Sequence, residues 1–177
     1  MLETFYATSA QVCFALLGLW WVVVQFKYQE WLHDPGRRRM AYDISAFFAL
    51  PGIMSLASLM AERLTYLWQV GFAVAGMLGV IETIAVLRSS GGRLGTRLFR
   101  GIHVLTLVLY VAIVTLGVRP KLPADLGLNL KGREVEAILL SLLIFLGTNL
   151  AWLMFFGRPM TSLPPRDVDG TSTGATG

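Results

Sequence analysis

The chain has few charged residues, few histidines and one cysteine. Of its 177 residues, 15% are Asp, Glu, Lys or Arg, whereas a soluble domain usually carries about 25%. The residues AVILMFWYC make up 55% of the chain, and the mean hydropathy is +0.62. This composition excludes a disordered chain and an ordinary soluble enzyme. It indicates a polytopic membrane protein.

The scarcity of cysteine and histidine limits the chemistry. Cys13 alone excludes a disulfide scaffold. A transition-metal site or a bis-histidine haem needs several Cys or His ligands, and of the two histidines, His33 and His103, only His103 lies in an apolar stretch. No paired carboxylates flank a plausible hydrolytic centre. The sequence therefore predicts no metal and no cofactor, and it favours a protein that is not an enzyme.

Five apolar stretches are long enough to cross a bilayer. A hydrocarbon core of about 30 Å needs about 20 residues of helix. Helices are favoured in lipid because they satisfy their backbone hydrogen bonds internally. We therefore predict an all-α bundle of five transmembrane helices within residues 1–158. The predicted spans are 8–26, 41–60, 66–87, 98–118 and 135–156.

The basic residues between the spans predict an orientation. Cytoplasmic loops are enriched in Lys and Arg. Ten basic residues flank one side of the predicted bundle and five flank the other, which predicts the N-terminus outside and the C-terminus inside. Residues 159–177 are rich in Pro, Ser, Thr and Gly and are expected to form a disordered cytoplasmic tail. Twelve Arg against three Lys favour a bacterial source, so we expect the inner (cytoplasmic) membrane.

A basic segment with a tryptophan joins the first two spans. Its sequence, residues 30–39, is EWLHDPGRRR, and Asp-Pro-Gly is a turn signal. We expect Trp31 at the headgroup level. Three arginines are expected to face anionic lipid headgroups: Arg37, Arg38 and Arg39. The lipid bilayer is therefore a predicted partner, and a dedicated phosphate site is the sharper alternative. The pI of 9.6 is accounted for by loop arginines, so no nucleic-acid partner is predicted.

Small and polar residues recur on one face of several spans. Helices in lipid associate through such residues, because lipid tails are as apolar as leucine. We expect these faces to form the core of the bundle. In the third span the face comprises Gly71, Ala75, Gly76, Gly79 and Thr83. In the first span it comprises Gln11, Ala15, Gly18, Val22 and Gln25.

Pro51 and Gly52 lie in the middle of the second span. Proline removes one helical hydrogen bond and frees the carbonyl four residues earlier, at Phe47. We predict a kink or a local unwinding at this point. Neighbouring helices can satisfy the freed carbonyl.

Glu82 is the charged residue furthest inside a predicted span. An ionised carboxylate in hydrocarbon costs at least about 2.5 kcal/mol on insertion scales. Its position on the helical wheel, near Ala75 and Gly79, predicts that it points into the bundle. Four polar residues are expected to accompany it: Asp43, His103, Tyr110 and Asn149.

Two interpretations of this polar group are open. In one, Glu82 and His103 pair with each other or with Asp43 and Asn149, and the group only fixes the helix packing. This predicts a non-catalytic accessory or scaffold subunit of a membrane complex. In the other, the group lines a water-filled vestibule in which Glu82 and His103 handle a cation or a proton, with Tyr110 extending the path. This predicts a small channel, a proton- or cation-coupled transporter, or a membrane subunit of one. Five spans are few for a transporter, so a homo-oligomer or a membrane-protein partner is expected.

Overall fold

The protein is described from a computed structural model of the chain. The structure describes residues 2–31, 33–60, 65–89, 97–120, 122–125, 127 and 132–156. The predicted tail, residues 159–177, lies outside the described residues.

Six helices make up the regular structure of the described ranges, and five of them are long and apolar enough to cross a membrane. In chain order they are α1 (Leu2–Trp31), α2 (Pro35–Met60), α3 (Thr65–Ser89), α4 (Arg97–Val118), α5 (Leu122–Asp125) and α6 (Gly132–Phe156). The short helix α5 lies between α4 and α6. The prediction of an all-α fold with five candidate membrane spans is confirmed, and the orientation stays a prediction.

The first helix extends well beyond its predicted span. α1 begins at residue 2 rather than 8 and ends at residue 31 rather than 26. Helical hydrogen bonding does not stop where hydropathy falls, so a helix can continue into its polar flanks. A helix of 30 residues is about 45 Å long, which exceeds a hydrocarbon core of about 30 Å. α1 is therefore longer than a perpendicular crossing requires, and it has room to tilt or to extend beyond the hydrocarbon.

A tight connection joins α1 to α2. Oδ1 of Asp34 accepts hydrogen bonds from the backbone N–H of Gly36 at 3.0 Å and of Arg37 at 3.2 Å. Asp34 is thus the N-cap of α2, and Pro35 occupies the first helical position, where its missing N–H costs nothing. The predicted turn signal therefore starts a helix, and α2 begins six residues before the predicted span.

α2 forms the centre of the bundle. It packs against α1, α3 and α6, and α4 packs against α3 and α6. Successive long helices run antiparallel. We name the end where α1, α3 and α6 begin the N-terminal end, and the end where α2 and α4 begin the opposite end.

Glycines bring α3 into close contact with its neighbours. A Cβ at Gly76 would lie 2.7 Å from Cγ2 of Val114, and a Cβ at Gly79 would overlap the ring of Tyr110. A Cβ at Gly71 would lie 2.8 Å from the Cβ of Ala57 on α2. The prediction that the small face of the third span packs within the bundle is confirmed.

The small and polar face of α1 points away from the bundle, so the prediction for the first span is wrong. Gln11, Ala15, Val22 and Gln25 are exposed, and a Cβ at Gly18 would meet nothing within 4 Å. The buried residues lie on the other side of the helix: Tyr6, Ser9, Ala10, Cys13, Trp20 and Trp31. Such a face marks a surface suited to helix packing but does not say which helix meets it. Within this chain the larger residues of α1 fill the interior instead.

α2 continues through Pro51 as a helix, and both Pro51 and Gly52 are buried. A Cβ at Gly52 would lie 3.2 Å from Cβ of Cys13 and 3.2 Å from Cζ of Phe14, so α1 crosses close to α2 here. The helix is regular on both sides of Pro51 rather than unwound. The kink stays a prediction.

Candidate functional site

His103 and Asp43 form a buried pair between α4 and α2. Nε2 of His103 lies 3.0 Å from Oδ2 of Asp43. His103 is 0% exposed and Asp43 is 3% exposed. Asp43 lies eight residues after the start of α2 and His103 six residues after the start of α4, which are depths of about 12 Å and about 9 Å. The pair therefore lies inside the membrane-spanning segments, in the half nearer the opposite end.

The second ring nitrogen determines how many protons the pair holds. Nδ1 of His103 lies 2.9 Å from the carbonyl oxygen of Phe99, one turn earlier in α4. A carbonyl only accepts, so Nδ1 carries a proton and donates it. The contact between Nε2 and Oδ2 then needs one further proton, since two acceptors do not bond to each other. Whichever atom holds that proton, the pair carries no net charge.

Aromatic rings surround the imidazole. The ring centroid of Phe99 lies 4.1 Å from that of His103, and Phe47 approaches edge-on at 6.4 Å. Phe47 in turn packs against Gly147 of α6. A Cβ added at Gly147 would lie 2.9 Å from the Cβ of Phe47. A pair enclosed in this way can hold α2 against α4. Its shared proton can also move between the two side chains, which is the simplest chemistry available to it.

Tyr110 lies two turns further along the same face of α4. It is 2% exposed and sits over Gly79 of α3. Three of the predicted site residues, Asp43, His103 and Tyr110, are therefore buried, and His103 and Tyr110 share one face of α4.

Glu82 does not point into the bundle, so the predicted orientation of this side chain is wrong. It is exposed and forms no hydrogen bond or ion pair with any described residue. Gly79 and Thr83 are on the buried side of α3, and Gly79 lies against Tyr110 of α4. Glu82 lies about 60° from Gly79 on the helical wheel, and none of the described helices buries it on that flank. The predicted partner of His103 is therefore Asp43 rather than Glu82.

Asn149 is not part of this region. Its Nδ2 donates to the carbonyl of Phe145 in its own helix at 2.8 Å. The neighbouring hydroxyl of Thr148 likewise donates to Ile144 at 2.9 Å. Polar side chains in lipid often satisfy themselves on the preceding turn, so their presence in a span does not place them in a shared site.

A second polar cluster, missed from the sequence, lies at the N-terminal end. Oε2 of Glu136, which is fully buried, accepts a hydrogen bond from Nε1 of Trp68 at 2.8 Å. The hydroxyl of Tyr6 donates to the carbonyl of Arg133 at 2.8 Å. The guanidinium of Arg133 donates from Nη2 to the carbonyl of Ser58 at 3.1 Å and lies 5.5 Å from the ring centroid of Tyr6. This cluster connects α1, α2, α3 and α6.

Several polar atoms of the second cluster are buried without a hydrogen-bond partner among the described residues. They are Oε1 of Glu136, Nε of Arg133 and Oγ of Ser58. No side-chain polar atom of Asp43 or His103 is among these buried atoms without a partner. The two clusters thus differ in how completely their hydrogen bonds are made.

The spacing of Glu136 from the residues that follow it in α6 is the sequence signal that could have revealed its burial. The buried positions recur at intervals of four and three residues: Glu136, Leu140, Leu143, Gly147 and Leu150. That periodicity defines one face of a helix. Glu136 begins the buried face, although its place near the start of the predicted span made it look like a charge at a helix end.

The residues expected at the headgroups have different surroundings. Trp31 is buried and its ring centroid lies 6.2 Å from that of Trp20, so it packs inside the α1–α2 interface. Nε of Arg37 lies 3.5 Å from Oδ2 of Asp34. Arg38 and Arg39 are exposed. Their contact with lipid headgroups stays a prediction.

No protein-family model, curated protein or solved structure matches this chain. Across the part of the chain that the structure describes, no three His, Cys, Asp or Glu side chains lie close enough together to hold a metal ion. The chain is an integral membrane protein with five candidate spans.

Proposed function

We propose that this protein is a non-catalytic subunit of a membrane assembly, joined to a second copy of itself through the outward face of α1. The observation that carries this proposal is the direction of that face. Its residues are Gln11, Ala15, Gly18, Val22 and Gln25, and they point away from the chain's own bundle.

The spacing of this face supports a helix as its occupant. The five residues follow one another at intervals of four, three, four and three, which is the seam of a two-stranded coiled coil. Small and polar residues form no favourable contacts with lipid tails. A second helix could approach closely at Gly18 and form amide hydrogen bonds with Gln11 and Gln25. Two identical helices related by a twofold axis would bring each residue of the seam beside its own copy.

Glu82 gives independent support for a partner in the membrane. Ionisable residues within spans almost always face a bundle interior or pair with another group. Glu82 is exposed on α3 and has no partner within the described chain. A neighbouring subunit that covers this flank would remove the cost of leaving the carboxyl in lipid.

Crosslinking in the membrane tests the α1 face. In a Cys13→Ala background, Gly18→Cys should form a disulfide-linked dimer on mild oxidation of vesicles. Val12→Cys is the matched control, since Val12 is exposed on the same helix about 120° away from Gly18. Gly18→Leu should convert the dimer to a monomer when its mass is measured by native mass spectrometry from lipid nanodiscs.

Two outcomes would overturn the proposal. One is a wild-type protein that is monomeric in nanodiscs at every ratio of protein to lipid. The other is crosslinking at Val12→Cys that matches crosslinking at Gly18→Cys, which would indicate random encounter rather than a defined seam.

Proton transport is a second candidate, favoured by the shared proton between Asp43 and His103. The pair lies inside two of the candidate spans, and Tyr110 lies two turns further along the same face of α4 as His103. In this case Asp43→Asn should abolish proton flux into proteoliposomes, because an amide can bond to the imidazole but cannot give up a proton. Asn149→Ala, outside the pair, should leave flux unchanged. A wild-type protein that conducts no protons would exclude this candidate.

A further inference from the structure

A groove runs between α1 and α2 at the opposite end of the bundle. Its volume is about 310 Å³, which lies within the range of about 300–1,000 Å³ common for small-molecule sites. The residues that line it include Trp21, Val24, Tyr28, Trp31, Arg38 and Tyr42. Four of these six are aromatic, and Arg38 is the charged one.

The groove changes from charged to apolar along its length. Arg38 lies three residues after the start of α2, and Tyr28 lies three residues before the end of α1, so both are about 4.5 Å from the helix ends. Trp21 and Ser45 lie ten residues in, at about 15 Å. A phospholipid has the same order, with a charged phosphate at the headgroup level and an acyl chain extending toward the bilayer centre.

Arg38 is available for a ligand in a way that Arg37 is not. The carboxyl of Asp34 caps α2 and lies 3.5 Å from Nε of Arg37. Arg38 is exposed and forms no ion pair within the described ranges. Behind the groove, Nε1 of Trp20 donates to the carbonyl of Ala41 at 3.0 Å, which holds the two helices together.

We propose that this groove binds an anionic phospholipid, with its phosphate on Arg38 and one acyl chain lying between α1 and α2 against Trp21 and Val24. A guanidinium offers paired N–H donors that match phosphate oxygens. Tyr28 and Tyr42 present rings that suit the boundary between headgroup and hydrocarbon. From α1 the groove uses Trp21, Val24, Tyr28 and Trp31, none of which belongs to the outward face of that helix.

Other occupants share part of this chemistry. Inorganic phosphate would use Arg38 but not the apolar half of the groove. A zwitterionic phospholipid would use both halves of the groove. It carries a cation beside its phosphate, so its attraction to Arg38 would be weaker. The occupants therefore differ in whether binding depends on charge, on the apolar wall, or on both.

Lipid binding to the purified full-length protein tests the site. Native mass spectrometry would count bound phosphatidylglycerol against phosphatidylcholine, and brominated phosphatidylglycerol would quench tryptophan fluorescence. Arg38→Gln should weaken phosphatidylglycerol binding by about tenfold, the effect of one charged contact. Arg38→Lys keeps the charge and should retain most of the affinity. The matched control is Arg88→Gln, an exposed arginine at the same end of the bundle, which should change affinity by about twofold or less.

A second variant tests the apolar half without altering charge. Oγ of Ser45 bonds only to the carbonyl of Ala41 in its own helix, so Ser45→Leu should fill the groove and leave the fold intact. It should lower phosphatidylglycerol binding as much as Arg38→Gln does, with an unchanged unfolding midpoint. Unchanged binding in Ser45→Leu, an equal loss in Arg38→Gln and Arg88→Gln, or displacement of the lipid by inorganic phosphate would each overturn the proposal.

Discussion

The two polar clusters of the bundle differ in depth and in completeness. Asp43 and His103 lie about 12 Å and about 9 Å inside their helices, and both ring nitrogens of His103 have hydrogen-bond partners. Glu136 lies four residues after the start of α6, at about 6 Å, in a cluster with unpartnered atoms. An unsatisfied polar group costs more the further it lies from water. A polar group deeper in the bundle therefore costs more free energy when it lacks a hydrogen-bond partner.

The clusters also differ in what they connect. The Asp43–His103 pair joins two helices through one contact, whereas the cluster around Glu136 joins four helices through several contacts. Loss of one side chain should accordingly remove the whole pair but only part of the larger cluster.

The largest effect is expected from breaking the deep pair. His103→Leu leaves Asp43 buried without a partner and should cost about 3–5 kcal/mol of unfolding free energy. The double variant Asp43→Leu with His103→Leu should recover much of this loss, because no buried charge remains. Unfolding in mixed micelles measures both values.

The control for this prediction is Thr106→Val. Thr106 is equally buried on the same face of α4, and its hydroxyl bonds only to the carbonyl of Ile102. If His103→Leu costs no more than Thr106→Val, the pair does not hold α2 against α4.

A smaller effect is expected at the second cluster. Glu136→Leu removes the acceptor of the Trp68 indole and should cost about 1–3 kcal/mol. Glu136→Gln keeps an acceptor oxygen and should cost less. Tryptophan fluorescence during the same titration would report on Trp68. A loss from Glu136→Leu as large as that from His103→Leu would contradict the dependence on depth.

The smallest effect is expected from one hydroxyl of the second cluster. Tyr6→Phe removes the bond to the carbonyl of Arg133 and should cost about 1 kcal/mol, while the ring remains in place against the guanidinium. The control is Tyr66→Phe, since Tyr66 is exposed at the same end of the bundle. Equal midpoints for the two variants would show that the Tyr6 hydroxyl contributes no net stability.

Parts of the site could be predicted because they follow from a single helix. His103 and Tyr110 share a face of α4 by spacing alone, and both are buried. Glu82 could not be placed, because it lies at the flank of α3, and the course of the neighbouring helix decides whether a flank is covered. The outward seam of α1 was recognisable as a helix-packing face, but a helical wheel does not say which side meets the bundle. Glu136 was missed because a charge near a span boundary normally reaches water.

The presence of five helices long and apolar enough to cross a membrane follows from the sequence alone, because the hydropathy and length of a segment are local properties. The sequence also determined which side chains share a face of each helix, because helical geometry repeats every 3.6 residues. Tertiary structure alone decided that His103 meets Asp43, that Glu82 faces outward and that Glu136 lies in the interior. These outcomes depend on how each helix is rotated about its axis, and that rotation is set by the packing of all the helices together.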